Sequence, residues 1–250
     1  MRGVPGNRYP YRDPYFYLRK KVIFMPILKQ LAAHLPNRWQ TEIKRNYFGR
    51  QIKKGTFGSK EPEYKLLDNF IKRGDWIVDI GANVGHYTKR FSELAGKDGR
   101  VIAFEPVPTT FSLLSANVLR FAHPNVSLIN AAASNELDIV GMSMPKFPTG
   151  LTNFYQAHIS SLTDSTLPVA TISLDSLCIN HHISLVKIDA EGHESFVLAG
   201  MRKIIEASHP VLIIETSSKE IIADLATLGY VPEKLQYSPN ILFKPKRSHN

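Results

Sequence analysis

The chain has 250 residues, 43% of them hydrophobic, with 31 Lys and Arg against 22 Asp and Glu. That length can bury a full core and suits one α/β domain with an appendage. No apolar run reaches the roughly 18 residues a spanning helix needs, and the single cysteine, Cys178, has no partner for an internal disulfide; the expectation is a cytoplasmic protein in a reducing compartment.

The charge is lopsided. Residues 1–75 hold 17 Lys and Arg and 6 Asp and Glu, whereas residues 76–250 hold 14 and 16. A solvated basic surface is the default reading of that excess. An anionic substrate, an anionic membrane surface, a homo-oligomer contact or nucleic acid are the specific alternatives. No zinc-ligand spacing or RNA-binding aromatic motif accompanies the basic residues, so nucleic acid is the least supported.

In chain order, residues 1–20 are rich in Tyr, Pro and Arg and read as irregular. From Val22 apolar residues recur at helical spacing, interrupted at Pro26; "PNRW" (36–39) reads as a turn, and 43–60 as a hairpin with Gly55 and Gly58 at its bends. "EPEYKLLDNFIKRGD" predicts a helix from near Pro62 that presents Tyr64, Leu67, Phe70 and Ile71 on one face. Residues 1–65 are thus a basic extension acting as a lid, an interface or an anion-binding surface, and residues 66–250 the main domain.

From Trp76 strands and helices alternate. Strands are expected at 76–80, 100–105, 126–130, 184–189 and 210–215, with helices near 85–95, 108–120, 192–207 and 218–228. Runs apolar on both faces and separated by helices imply an α/β, mostly parallel sheet covered on both sides. Residues 135–170 break the rhythm and read as an inserted flap, and the tail reads as a terminal β-hairpin.

Ligands of open parallel sheets bind beyond the carboxyl ends of the strands. The stretch "DIGANVGHYT" (79–88) sits at such an end, with Gly81 and Gly85 free to take positive φ and Asn83 tolerant of it. A dinucleotide fingerprint wants G-x-G-x-x-G, and the middle glycine is missing here. Asp79 would repel a pyrophosphate but attract the ammonium and sulfonium of S-adenosylmethionine; opposite charges about 4 Å apart gain about 4 kcal/mol at an effective dielectric near 20, before desolvation. Glu105, at the next strand end, suits a ribose diol in either cofactor. Each acid alone could be a cap or an exposed strand end; together they favour a cationic cofactor.

The blocks "DIGANVGHYT", "VIAFEPVP" (101–108), "ISLDSL" (172–177), "LVKIDAEGHE" (185–194) and "PVLIIE" (210–215) occur in this order in a chain that resembles the FkbM family of S-adenosylmethionine-dependent methyltransferases. The resemblance covers about residues 70–215. It implies a Rossmann-like class I methyltransferase fold and O-methylation of a sugar, glycan or polyketide-type small-molecule acceptor. It also implies that Asp79, Gly81, Asn83 and Gly85 surround the methionine end of the cofactor, that Glu105 takes the ribose hydroxyls, and that Asn130 to Ala132, Ala131 foremost, lie against adenine.

"KIDAEGHE" ends the fourth strand, on the same side as the crevice. A hydroxyl acceptor must be aligned and lose its proton, work worth about 10²- to 10⁴-fold for a well-placed carboxylate or imidazole. Asp189, Glu191 and His193 are the catalytic candidates, with Asp189 first for the acceptor site and His193 a candidate base. Acids at a helix start are also stabilised by its dipole alone, which accounts for Glu194. No metal ligand set is fixed and none is expected. Two rival readings are a nicotinamide-dependent oxidoreductase and a non-catalytic protein binding through its basic N-terminal face.

Overall fold

The computed structural model of the protein describes residues 35–145 and 156–246, apart from the Asn37 side chain. The expectations for residues 1–20 and for the helical stretch from Val22 lie outside the described residues.

Five strands run parallel: β1 (Trp76–Ile80), β2 (Arg100–Phe104), β3 (Val126–Ile129), β8 (Ile183–Ile188) and β9 (Val211–Glu215). With the hairpin β10 (Tyr230–Lys234) and β11 (Asn240–Pro245) they form one seven-stranded sheet in the order β10-β11-β9-β8-β1-β2-β3, in which β11 runs antiparallel to both its neighbours, β10 and β9. The switch point lies between β1 and β8, whose neighbours on either side follow opposite directions of sequence; ligands of such sheets bind at that position.

Alternation along the strands sends side chains to two packed layers. Val78, Ile80, Val186 and Ile188 meet α4 (Glu194–Ala199), α5 (Arg202–Ser208) and α6 (Lys219–Thr227) through Val197, Leu198, Ile205 and Leu225. Ile77, Val101 and Leu185 meet Tyr87, Phe91 and Ala95 of α2 (His86–Ala95) on the other face, where α3 (Pro108–Val118) also packs, Leu114 against Ala103. Asp79 and Lys187, register partners on β1 and β8, share this second face.

The chain between β3 and β8 builds a separate four-stranded sheet in the order β4-β7-β5-β6, from β4 (Ala132–Ala133), β5 (Asp138–Ser143), β6 (His158–Ser160) and β7 (Leu167–Ile172). Its Met142 and Val169 close on Val107, just past β2.

Three local expectations are corrected. The turn at 36–39 and the hairpin at 43–60 are one helix, α1 (Asn37–Lys53), capped by Pro36 and ending before Gly55 at φ 69°. Phe48 and Ile52, one turn apart, bury against Phe57, Val84 and Leu113, so helical spacing toward a tertiary partner wins over the local glycine signal. The helix from Pro62 is two short 3-10 turns, Pro62–Lys65 and Leu67–Asn69. Leu67 and Ile71 still bury, and Glu63 is drawn inward to Tyr87 and Asn240. The long helix at 192–207 is broken between α4 and α5 at Gly200, whose missing Cβ would stand 1.9 Å from the Ser134 carbonyl oxygen.

Candidate active site

The glycine turn follows β1 directly. Gly81 (φ 73°) has no alternative residue: a Cβ there would lie 2.0 Å from the carbonyl oxygen of Asp189. Asn83 takes φ 50° and Gly85 φ 96°. The Asn83 N–H donates to Glu105 Oε2 at 3.0 Å, and the Val107 N–H to Glu105 Oε1 at 3.0 Å. Glu105 therefore braces both the first turn and the loop after β2. Burial, offset only in part by these two bonds, raises its pKa to about 7. Asn130 donates its amide to the carbonyls of Glu105 and Pro106 at 2.8 and 3.1 Å, holding that loop from the end of β3, with Ala131 buried beside it.

Asp79 is 1% exposed. Its Oδ2 accepts the Thr88 hydroxyl at 2.6 Å, and its Oδ1 has no hydrogen-bond partner among the described residues. Burial pushes its pKa up, against the ammonium of Lys187 and the Thr88 bond. Lys187 is the residue that strand patterning overlooked. It is 3% exposed, donates to Asp189 Oδ2 at 3.0 Å and stands 4.9 Å from the Tyr87 ring centre. Burial works against its charge, yet Asp189, Asp79 and Glu61 together lift its pKa above the ordinary value. Asp79 is thus not a lone negative charge awaiting a ligand; its first counter-charge is internal.

More acids gather at the adjoining strand ends. Asp189 follows β8, its N–H bonded to the Ile80 carbonyl at 3.1 Å. Glu191 reaches the surface at φ 48°, and partial desolvation of its carboxyl, then the charges of Asp189, Glu215 and Glu194, raise its pKa to about 8. Glu215 ends β9 one residue beyond the Ile188–Ile214 pair; burial and then Asp189 raise its pKa to about 7. Glu194 is turned back to the Gly192 N–H at 2.9 Å, an N-terminal capping bond. His193 precedes α4 with Nε2 2.9 Å from Ser134 Oγ and its ring stacked on Phe196; burial lowers its pKa. The structure thus groups Asp189 and Glu191 with Lys187 and Glu215, and engages His193 with Ser134.

A second layer comes from the segment before β1. The Tyr87 hydroxyl reaches Glu61 Oε2 at 2.6 Å and Glu63 Oε1 at 3.2 Å, and the Asn240 amide bonds Glu63. His86 lies against Phe57 with ring centres 4.3 Å apart, and burial lowers its pKa to about 4. Glu215 was open to sequence reasoning, since an acid closing "VLIIE" repeats the pattern that picked Glu105. Lys187 interrupts an apolar strand two residues before Asp189, which is a signal. Glu61 gave none.

The profile of the methyltransferase FkbM domain matches residues 79–232, from Asp79 through the glycine turn, Glu105, Asp189 and Glu215. The chain belongs to the FkbM methyltransferase family. Two curated relatives are the hexuronic acid methyltransferase AglP of Haloferax volcanii, 30% identical over 152 residues (60% of this chain and 59% of that protein), and the ribosomal RNA large subunit methyltransferase E of Methanothermobacter thermautotrophicus, 36% identical over 73 residues (27% and 34%). The alignments span about three-fifths of the first relative and a third of the second. A solved FkbM methyltransferase from Methylobacillus flagellatus is 19% identical, with a TM-score of 0.49, over 88% of this chain and 58% of that one.

S-adenosylmethionine is the cofactor of this family, and the residues fit it: Asp79 carries a buried, unpartnered oxygen suited to an ammonium.

Proposed function

We propose that this FkbM protein methylates a hydroxyl oxygen of a sugar or glycan acceptor. The carboxyl cluster at the ends of β1, β8 and β9 carries the reading. Bound S-adenosylmethionine supplies an electrophilic methyl group; the chain's own residues orient the reactants and move one proton. Asp79 Oδ1 accepts from the ammonium at the methionine end, with Gly81, Asn83 and Gly85 around it. Glu105, its two oxygens already held by backbone N–H groups, takes the ribose hydroxyls on its remaining lone pairs, and Ala131, with Asn130 beside it, borders the adenine.

At the acceptor side, Asp189 is fixed through Oδ2 by Lys187 and aligns the hydroxyl with Oδ1. Glu191 and Glu215, with pKa values of about 8 and 7, are matched to take its proton near neutral pH. His193 is a further candidate base, through Nδ1, because Ser134 holds Nε2. A sugar acceptor draws support from the hexuronic acid methyltransferase relative.

The test is calorimetric titration with S-adenosylhomocysteine, then methyl transfer from labelled cofactor to a panel of glycans. Asp79→Ala removes a charged hydrogen bond worth about 1.5–3 kcal/mol, about 10- to 100-fold in affinity. Undiminished affinity removes the role of Asp79; binding of NAD with none of S-adenosylmethionine selects the oxidoreductase reading.

A further inference from the structure

Helix α1 has two apolar sides. One carries Phe48 and Ile52 and packs on Phe57, Val84 and Leu113. The other carries Trp39, Ile43 and Tyr47; at about 100° per residue this series, spaced by four, lies on the side away from Phe48 and Ile52, and Leu35 stands exposed just before the helix. These four side chains are 54%, 49%, 47% and 39% exposed in the order Trp39, Ile43, Tyr47, Leu35. Three large apolar groups in line on the outside of a helix, with a fourth exposed just before it, call for an apolar counterpart.

Charge says what the counterpart is. Arg50, Lys53 and Lys54 continue the same side over the last turn, exposed and in no ion pair among the described residues. Arg38 lies over the Trp39 ring at 5.9 Å. Residues 1–54 contain 13 Lys and Arg but only 2 Asp and Glu, so the whole basic excess of the chain is gathered at this helix and the sequence leading into it. Aliphatic Leu and Ile between Trp and Tyr, bordered by Lys and Arg, match a layer of anionic headgroups over acyl chains. A single-stranded nucleic acid would use the aromatic rings and the charges but gain nothing from Leu35 and Ile43.

We infer that α1 is an in-plane docking helix for an anionic lipid surface, with Leu35, Trp39, Ile43 and Tyr47 seated at the acyl boundary and Arg50, Lys53 and Lys54 on lipid phosphates. The opposite side of α1 holds Val84 of the glycine turn through Phe48. Docking therefore sets the cofactor crevice at the membrane interface, where acceptors carried on lipids are presented. The inference rests on the helix surface and stands whether or not the acceptor is a sugar.

The experiment is sedimentation of the full chain with phosphatidylcholine vesicles, with and without about a third phosphatidylglycerol. Anionic vesicles should bind it, salt should weaken that binding, and the Trp39→Glu/Ile43→Glu double variant should lose at least about tenfold in affinity while S-adenosylhomocysteine titrates it normally. The Arg50→Glu/Lys53→Glu/Lys54→Glu variant should lose binding as well. Brominated lipids should quench the fluorescence of the intact chain and not that of Trp39→Phe, a readout independent of any charge change. The inference is overturned if anionic vesicles leave the chain in the supernatant or if the Trp39/Ile43 variant binds them unchanged. It is equally overturned if the stripe instead mediates a dimer, or if the same substitutions abolish binding to an RNA oligonucleotide but not to lipid.

Discussion

Replacing Lys187 with Met tests the electrostatic frame of the site. Lys187 is 3% exposed, Asp79 is 1% exposed, and the two face each other on adjacent strands. The Lys187–Asp189 bond is 3.0 Å long. Removing one member of a buried pair leaves its partner uncompensated, a loss of about 3–5 kcal/mol, which in a chain of this size lowers the melting temperature by roughly 10 °C. The loss depends on pH in a stated direction. Without the ammonium, the pKa of Asp79, already raised by burial, rises further. A carboxyl raised in the folded state favours folding below its unfolded value and works against folding as pH climbs through its folded value. The deficit of Lys187→Met is therefore largest near pH 8 and shrinks toward pH 4. Calorimetric melting across that range reads it, and the Lys187→Met/Asp79→Asn double variant should regain a good part of the lost stability. A melting temperature within about 2 °C of the parent at pH 8, or a deficit equal at both ends of the range, refutes the reasoning.

Gly81→Ala should abolish homocysteine-analogue binding and lower the melting temperature, because its Cβ would fall 2.0 Å from the Asp189 carbonyl oxygen at a positive φ; normal titration in calorimetry would contradict this. With a glycan substrate in hand, methyl transfer should fall as pH drops through 8 to 7, where Glu191 and Glu215 take up protons. Replacing the base, by Glu191→Gln or Glu215→Gln, should reduce kcat by about 10²-fold or more, and an unchanged acid limb in both single variants would remove both residues from that role. His86, whose pKa burial holds near 4, stays neutral in the folded chain while the unfolded chain binds a proton below about pH 6.5. Stability should consequently decline from pH 6.5 toward 4, and His86→Phe should flatten that decline in thermal melts.

The parallel sheet was legible because a strand buried on both faces leaves an unbroken apolar run, as "WIVDI" and "VLIIE" do, and because helices between such runs force parallel pairing. The five parallel strands from Trp76 onward fall within one residue of the sequence reading, whereas β4 and β6 of the second sheet were not foreseen. Residues 37–53 were misread because the partners of Phe48 and Ile52 lie far along the chain at Val84 and Leu113, while Gly55 and Gly58 gave a louder local signal. The same gap hid Glu61 and Glu63, whose positions are set by Tyr87 and Asn240. Acids that end strands could be found by position alone. Lys187 showed only as a charge interrupting an apolar strand; its worth lies in the charges opposite, and those are juxtaposed only once β1 and β8 are in register.

Gly81 touching the Asp189 backbone, with the Asp189 N–H bonded to Ile80, has a kinetic consequence. On the proposed assignment, the loop on the donor side and the loop on the acceptor side are in direct backbone contact, so a shift of one is felt by the other. Donor and acceptor should then load in a compulsory sequence, the first arrival setting the stage for the second, and dead-end inhibitors of each half-site should give the asymmetric patterns of an ordered bi-substrate enzyme.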